Sequence, residues 1–143
     1  MRSILIVDDE QSMCDFLSIL LENEGYDVKS TTSARESLQM IQESDPTDMI
    51  ISDIMMPEIN GIELLREVKK FDPQIIVIMI TAFATTENAI EAMKLGAYDY
   101  LQKPADFEDL TGKLAGASRK KADQDERIRQ AEARELLRKG GNI

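Results

Sequence analysis

The 143-residue sequence has no histidine. That absence removes histidine general bases, serine–histidine and cysteine–histidine nucleophiles, and histidine metal sites in one step. Cysteine is almost missing: Cys14 stands alone. No internal disulfide can form, and zinc sites of the usual thiolate and imidazole kind are excluded. The helical pattern around Cys14 marks it as a packed thiol. No apolar run approaches the roughly 20 residues that span a bilayer. The longest, Ile75–Ile80, has the length of a strand. The chain starts directly in a strand pattern, without the basic lead and cleavage site of a signal peptide, so the expected compartment is the cytoplasm. Any metal here must be bound by oxygen, which favours magnesium, calcium or manganese.

What is present fits one globular domain with a core of its own: 43% of residues are apolar. The net charge of −10 is uneven. Residues 119–139 hold eight Lys/Arg and five Asp/Glu, whereas residues 1–118 hold nine bases and 22 acids. So acidic a body argues against direct nucleic-acid binding, which needs basic patches. The division predicts a domain over residues 1–118 and a separate helical segment over 119–143.

Two apolar patterns alternate along the body. Short continuous runs at Ile4–Val7, Met49–Ser52 and Ile75–Ile80 read as strands buried on both faces. Weaker strands are expected at 26–31 and 98–101. Between them lie helical stripes: Phe16, Leu17, Leu20 and Leu21; Leu38 and Ile41; Leu64, Leu65 and Val68; Ala89, Ile90 and Met93. Gly25, Asp45-Pro46, Asp72-Pro73 and Gly96 punctuate these helices. Five strand–helix alternations imply an α/β fold, a doubly wound parallel sheet with helices on both faces. Ligands of such sheets bind beyond the carboxyl ends of the strands, where the strand order reverses.

Those ends carry an unusual set of groups. The first strand runs into Asp8, Asp9 and Glu10, the third into Asp53, the fourth into Thr81, and the fifth into Lys103-Pro104. Taken singly, each has an ordinary explanation: a helix cap, a turn, a loop. Jointly they put several carboxylates, a hydroxyl and an ammonium at one crevice. Asp8, Asp9 and Asp53 side by side call for a cation, and magnesium fits best because it takes few carboxylates and bridges to phosphate oxygens. A lysine and a hydroxyl beside it suit phosphoryl transfer, which needs positioning and charge neutralisation. Without histidine or a reactive thiol, the acceptor can be a carboxylate. Asp53, after the central strand, is the candidate.

The stretches "ILIVDDE", "DMIISDIMMPEINGIELL", "VIMITAFA" and "GAYDYLQKP" resemble the receiver domain of two-component response regulators over residues 3 to 117. The resemblance implies a flavodoxin-like five-stranded sheet of order 2-1-3-4-5 with five helices and a C-terminal helical extension. It implies that Asp53 is the phosphoacceptor and that Mg2+ is held by Asp8, Asp9, Asp53 and the backbone carbonyl of Met55. Thr81 would be the switch hydroxyl, Tyr100 the switch aromatic, and Lys103 the phosphate-pairing lysine before a cis proline. Pro57 and Gly61 would shape the loop after Asp53. The implied partner is a sensor histidine kinase, with homodimerisation through helix 4, strand 5 and helix 5 or through the C-terminal helix, and no membrane. The chain would be a phosphoacceptor, not an enzyme beyond weak self-phosphorylation and self-dephosphorylation.

Ala105 departs from the family pattern, which usually has an aromatic after Lys-Pro; Phe107 follows two residues later. Met55 and Phe83, both bulky and apolar, are expected to flank the phosphate and to slow its hydrolysis. A magnesium phosphatase using an aspartyl intermediate usually has a second acid two residues after the nucleophile, where this chain has Met55. A degenerate receiver, a pure binding module, would not need the intact set of Asp8, Asp9, Asp53, Thr81 and Lys103.

Beyond Ala117 the helical pattern runs on without Pro or Gly to Gly140. Acid–base pairs at Asp123–Arg127, Asp125–Arg129 and Glu135–Lys139 favour an exposed helix. Apolar residues are sparse, so a solvated linker and a dimerising extension both remain open. The segment "TTENAIEAMKLGAYDYL" and the closing "GGNI" resemble the nitrogen-regulation-type enhancer-binding subgroup, whose linker leads to an ATPase domain. The expected setting is therefore a receiver controlling a transcriptional output domain; the alternative is a stand-alone receiver acting by protein–protein interaction.

Overall fold

The computed structural model describes residues 2–43, 46–82 and 84–140. Five strands, β1 (Ser3–Val7), β2 (Asp27–Thr31), β3 (Met49–Ser52), β4 (Ile76–Thr81) and β5 (Asp99–Gln102), alternate with five helices: α1 (Gln11–Asn23), α2 (Ala34–Glu43), α3 (Gly61–Phe71), α4 (Thr86–Lys94) and α5 (Phe107–Gly140). The sheet is parallel throughout, in the order β2-β1-β3-β4-β5. β1, β3 and β4 are the buried, Ile-rich interior strands. A parallel sheet covered on both faces selects such runs because side chains of either parity meet a helix.

Alternate residues feed two cores. On one face Leu5, Val7, Ile50 and Val77 pack with Ile41 of α2 and Leu64, Leu65 and Val68 of α3. On the other, Ile4, Ile6, Ile51 and Ile78 pack with Cys14, Leu17 and Leu21 of α1 and Leu110, Leu114 and Ala117 of α5. The helix boundaries follow local chemistry. Asn60 caps α3 by accepting from the Glu63 amide at 2.9 Å, and Thr85 caps α4 by accepting from the Asn88 amide at 3.0 Å. Gly25 and Gly96 leave α1 and α4 with φ of 95° and 100°, where a Cβ would be strained.

Several expectations need correction. Phe16 is 58% exposed and does not join the α1 core stripe. In α4 the expected apolar stripe faces outward: Ile90 and Met93 are 50% and 49% exposed, and Ala92 alone is buried. Helical spacing identifies a stripe but not whether a neighbour covers it. Of the three i,i+4 pairs expected in the extension, Glu135–Lys139 forms at 3.9 Å. Asp125 instead pairs with Arg2, and Arg129 with Glu126. Asp45 and Phe83 lie outside the described residues.

Candidate functional site

Strand register builds the site. Val7 pairs with Ser52 across β1 and β3, so Asp8 and Asp53 are the first residues past two adjacent strand ends. The Asp53 amide donates to the Val7 carbonyl at 3.0 Å, and the Asp8 amide to the Thr31 carbonyl at 3.2 Å. The sheet order reverses between β1 and β3, so both acids stand at the switch point where open α/β sheets bind ligands.

Each carboxylate is aimed by backbone. Asp53 Oδ1 accepts from the amides of Ile54 at 2.7 Å and Met55 at 3.2 Å. Asp8 Oδ1 accepts from the Glu10 amide at 2.9 Å. The second oxygens share one cation: Lys103 Nζ lies 2.7 Å from Asp8 Oδ2 and 3.0 Å from Asp53 Oδ2. Lys103 leaves β5 and reaches past β4 to do so, a span of two to three strand spacings of about 4.8 Å. Its own amide is pinned to the Thr81 carbonyl at 2.8 Å, and the bond to Pro104 is cis.

Asp8, Asp9 and Asp53 each offer an oxygen within 4.8 Å of the others; Asp8 and Asp53 are buried and Asp9 is exposed. That is the layout of an ion with a protein side and a solvent side. Two buried carboxylates and one open to water suit a hard divalent cation that keeps some of its waters. Burial pushes the Asp8 carboxyl above the usual range, although hydrogen bonds from Lys103 and the Glu10 amide oppose it. Burial also pulls on Lys103, but its hydrogen bonds to Asp8 and Asp53 outweigh that and hold the ammonium above its ordinary value. The lysine stays charged and only partly neutralises the acids.

The remaining expected residues surround this centre. Thr81 ends β4 with its side chain fully buried. Met55 follows Asp53 by two residues, its amide on the carboxylate and its side chain half exposed. Tyr100 lies on edge strand β5, with its ring packed against the core beneath α3 and α4. Its hydroxyl is buried without a hydrogen bond of full geometry among the described residues. Burial raises that phenol, and the Thr85 backbone only partly offsets the effect. Ala105 packs inward where the family pattern has an aromatic, and Phe107 stays exposed. The small side chain leaves an apolar pocket between α1 and α5, lined by Met13, Phe16, Leu17, Ala105 and Phe107.

Two supports were not read from the sequence. One is the pair of amides after Asp53; aspartate's habit of accepting from the next amides is the signal that points to it. The other is Glu58, which accepts from Ser33 Oγ at 2.8 Å and ties the β3–α3 loop to the start of α2. Gly61 closes that loop, donating to the Ile54 carbonyl at 2.8 Å. A Cβ there would sit 2.2 Å from the Asp53 carbonyl and 2.8 Å from Ile54 Cα. Gly61→Ala is expected to lower stability by about 1–3 kcal/mol and to misplace Asp53. Thermal unfolding with a metal titration checks both.

Among the described residues no helix is long and apolar enough to cross a membrane. Comparison with known proteins adds identity to this geometry. The response regulator receiver domain model matches residues 4–115. The chain is 42% identical over 114 residues to the transcriptional regulatory protein ZraR of Escherichia coli K12, covering 80% of this chain and 26% of that protein. It therefore spans about a quarter of the length of that relative. The crystal structure of a receiver domain protein from Clostridium thermocellum superposes with a TM-score of 0.80 at 38% identity, over 85% of this chain and 98% of that one. The solution structure of the beryllofluoride-activated NtrC4 receiver domain dimer gives a TM-score of 0.80 at 33% identity, over 85% of this chain and 99% of that one. The doubly wound fold, the acidic pocket of the kind receiver domains use for Mg2+, and the family match agree: this chain belongs to the response regulator receiver domain family.

Proposed function

We propose that the domain is a phosphorylation-activated switch in which Asp53 accepts a phosphoryl group from a sensor histidine kinase. The observation that carries this is the convergence of the Lys103 ammonium on Asp8 and Asp53 at the switch point of the sheet. Asp53 Oδ2, the oxygen not held by backbone amides, would attack phosphorus while the donor's P–N bond breaks. Lys103 then exchanges a carboxylate oxygen for a phosphoryl oxygen, and the Thr81 hydroxyl supplies a further bond. Asp8, Asp9, Asp53 and the Met55 carbonyl would hold Mg2+, which would supply charge neutralisation on the phosphoryl oxygens.

A phosphoryl group adds charge and acceptor oxygens beside Thr81 and so biases β4, Tyr100 and the α4–β5–α5 face between two arrangements. Exposed Ile90 and Met93 on α4 make that face suited to a second copy of the chain. The C-terminal helix, with Ile128, Leu136 and Leu137 exposed, is the other dimerisation surface. The likeness to ZraR, a transcriptional regulatory protein, supports a transcriptional output domain, and the same reading includes the nitrogen-regulation-type enhancer-binding subgroup and a cytoplasmic setting.

Intact-mass spectrometry after incubation with acetyl phosphate tests the reading. One phosphoryl addition that needs Mg2+ and is lost in Asp53→Asn is the expected result. No addition from either acetyl phosphate or the cognate kinase overturns it. Met55 beside Asp53 disfavours an attacking water, so the adduct is expected to persist for minutes or longer, and Met55→Ala to shorten its life severalfold. A half-life of seconds in the parent chain contradicts this, and time-resolved mass spectra read it directly.

A further inference from the structure

The edge of the sheet opposite Asp53 carries a second polar assembly. α5 is held to the domain by Leu110, Leu114 and Ala117. One turn later the same face of the helix presents Lys121, only 7% exposed. Its Nζ donates to the Gln74 carbonyl at 3.0 Å. Lys69 of α3 donates to the carbonyls on either side, Ile75 at 2.6 Å and Pro73 at 3.3 Å. Three successive carbonyls of the loop before β4 are thus taken by ammoniums from two helices. A further turn along, Asp125 accepts from Arg2 Nη1 at 2.9 Å. Arg2 precedes β1 and also lies 3.8 Å from Asp48, which precedes β3. The extension is therefore strapped across the amino-terminal ends of three strands.

The attachment changes character at Ala117: before it buried apolar side chains carry the contact, with Lys113 paired to Asp99 of β5 at 2.6 Å beside them, and after it the contact is polar. The polar part is imperfect. Ser118 Oγ and Gln124 Oε1 are buried there with no hydrogen-bond partner among the described residues, which weakens the attachment. The Arg2–Asp125 pair is partly open to solvent, so salt screens it. Past Ala117 no apolar side chain of the helix is buried among the described residues. The seam rests on a few polar contacts, Lys121 with Gln74, Asp125 with Arg2 and Lys120 over the Tyr98 ring, so it can open without disturbing the core. From Glu126 onward almost every residue is exposed.

We propose that residues 118–125 form a polar latch which holds the helical extension against the amino-terminal edge of the sheet, and that release of this latch frees the helix beyond it to change heading. The latch belongs to the receiver fold and the lever starts at Glu126. This inference stands independently of the phosphorylation chemistry.

Double electron–electron resonance tests it, with spin labels at Glu63→Cys on α3 and Gln130→Cys on the lever. Labelled protein is diluted with unlabelled chain, so that only intramolecular distances count. A chain without added cysteines checks that Cys14 stays unlabelled. The parent chain at low salt is expected to give one narrow distance. Arg2→Ala with Lys121→Ala, Asp125→Asn, and high salt should each broaden it severalfold. Circular dichroism should show helix content retained. Where the double variant loses its cooperative unfolding, Asp125→Asn and the salt series decide alone. A distribution that stays narrow throughout overturns the latch, because helix continuity then fixes the heading. A distribution already broad in the parent overturns it too.

Discussion

Lys103→Met is expected to slow phosphoryl transfer to Asp53 by about 10²–10³-fold while tightening divalent-metal binding. The two effects have one cause. Lys103 places a positive charge within 3.0 Å of both buried carboxylates. During transfer that charge faces the phosphoryl oxygens, and methionine fills the volume without it. In the resting site the same charge repels an incoming cation, so its removal leaves Asp8, Asp9 and Asp53 free to bind metal. Stability without metal should fall by at most about 3 kcal/mol, the low end for breaking a buried ion pair, because a carboxyl can neutralise itself by taking up a proton. The pH sign follows from the raised ammonium pKa. Its stabilisation is complete below the ordinary value of 10.5 and disappears as pH rises through the higher folded-state value. The parent chain should therefore lose stability at alkaline pH more steeply than Lys103→Met. Metal titration by calorimetry and acetyl-phosphate rates by mass spectrometry give the two halves. Weaker metal binding in the variant would refute the electrostatic account.

The gathering of Asp8, Asp53 and Lys103 was legible in the sequence because each follows a strand, and a parallel sheet aligns strand ends. Buried interior strands announce themselves as Ile-rich runs, so the alternation alone implied the doubly wound architecture. Other features depend on neighbours that periodicity does not encode. The α4 stripe reads as core, yet no element among the described residues covers Ile90 and Met93, which are half exposed. The extension reads as an exposed helix, either a solvated linker or a dimerising extension, and its sequence gives no sign that Lys121 and Asp125 engage the domain. Both are nevertheless held by the domain, Lys121 through a main-chain carbonyl that any residue could supply. Asp125 looks for a partner four residues away and finds one 123 residues away. Charge patterning gives local pairs a modest advantage of about 0.2–0.5 kcal/mol, which a better placed arginine readily exceeds.

Asp8→Asn is expected to stabilise the metal-free protein by about 0.5–2 kcal/mol and to abolish most of the stabilisation that Mg2+ gives. Asparagine keeps one oxygen, which still accepts from the Glu10 amide, but it turns an NH2 donor toward Lys103, which then keeps only its bond to Asp53. What it removes is a buried negative charge set against Asp53 and Asp9. Burial raises the Asp8 pKa above 3.8, so the folded state holds that proton more tightly than the unfolded chain does. The contribution of Asp8 to stability therefore declines as pH rises from about 3.8 through the folded-state value, and above it the full penalty remains. Parent and variant should converge in acid and separate toward neutrality, with the variant the more stable. Metal reverses the order. Ligand at 100 times its dissociation constant adds about 2.7 kcal/mol to a protein that binds it only when folded, and the parent gains this while Asp8→Asn gains little. Thermal unfolding across pH, with Mg2+ and with chelator, traces all four curves. If the metal-free variant were less stable than the parent at neutral pH, Asp8 would be a net structural support through Lys103. The clustered acids would then need no cation to explain them.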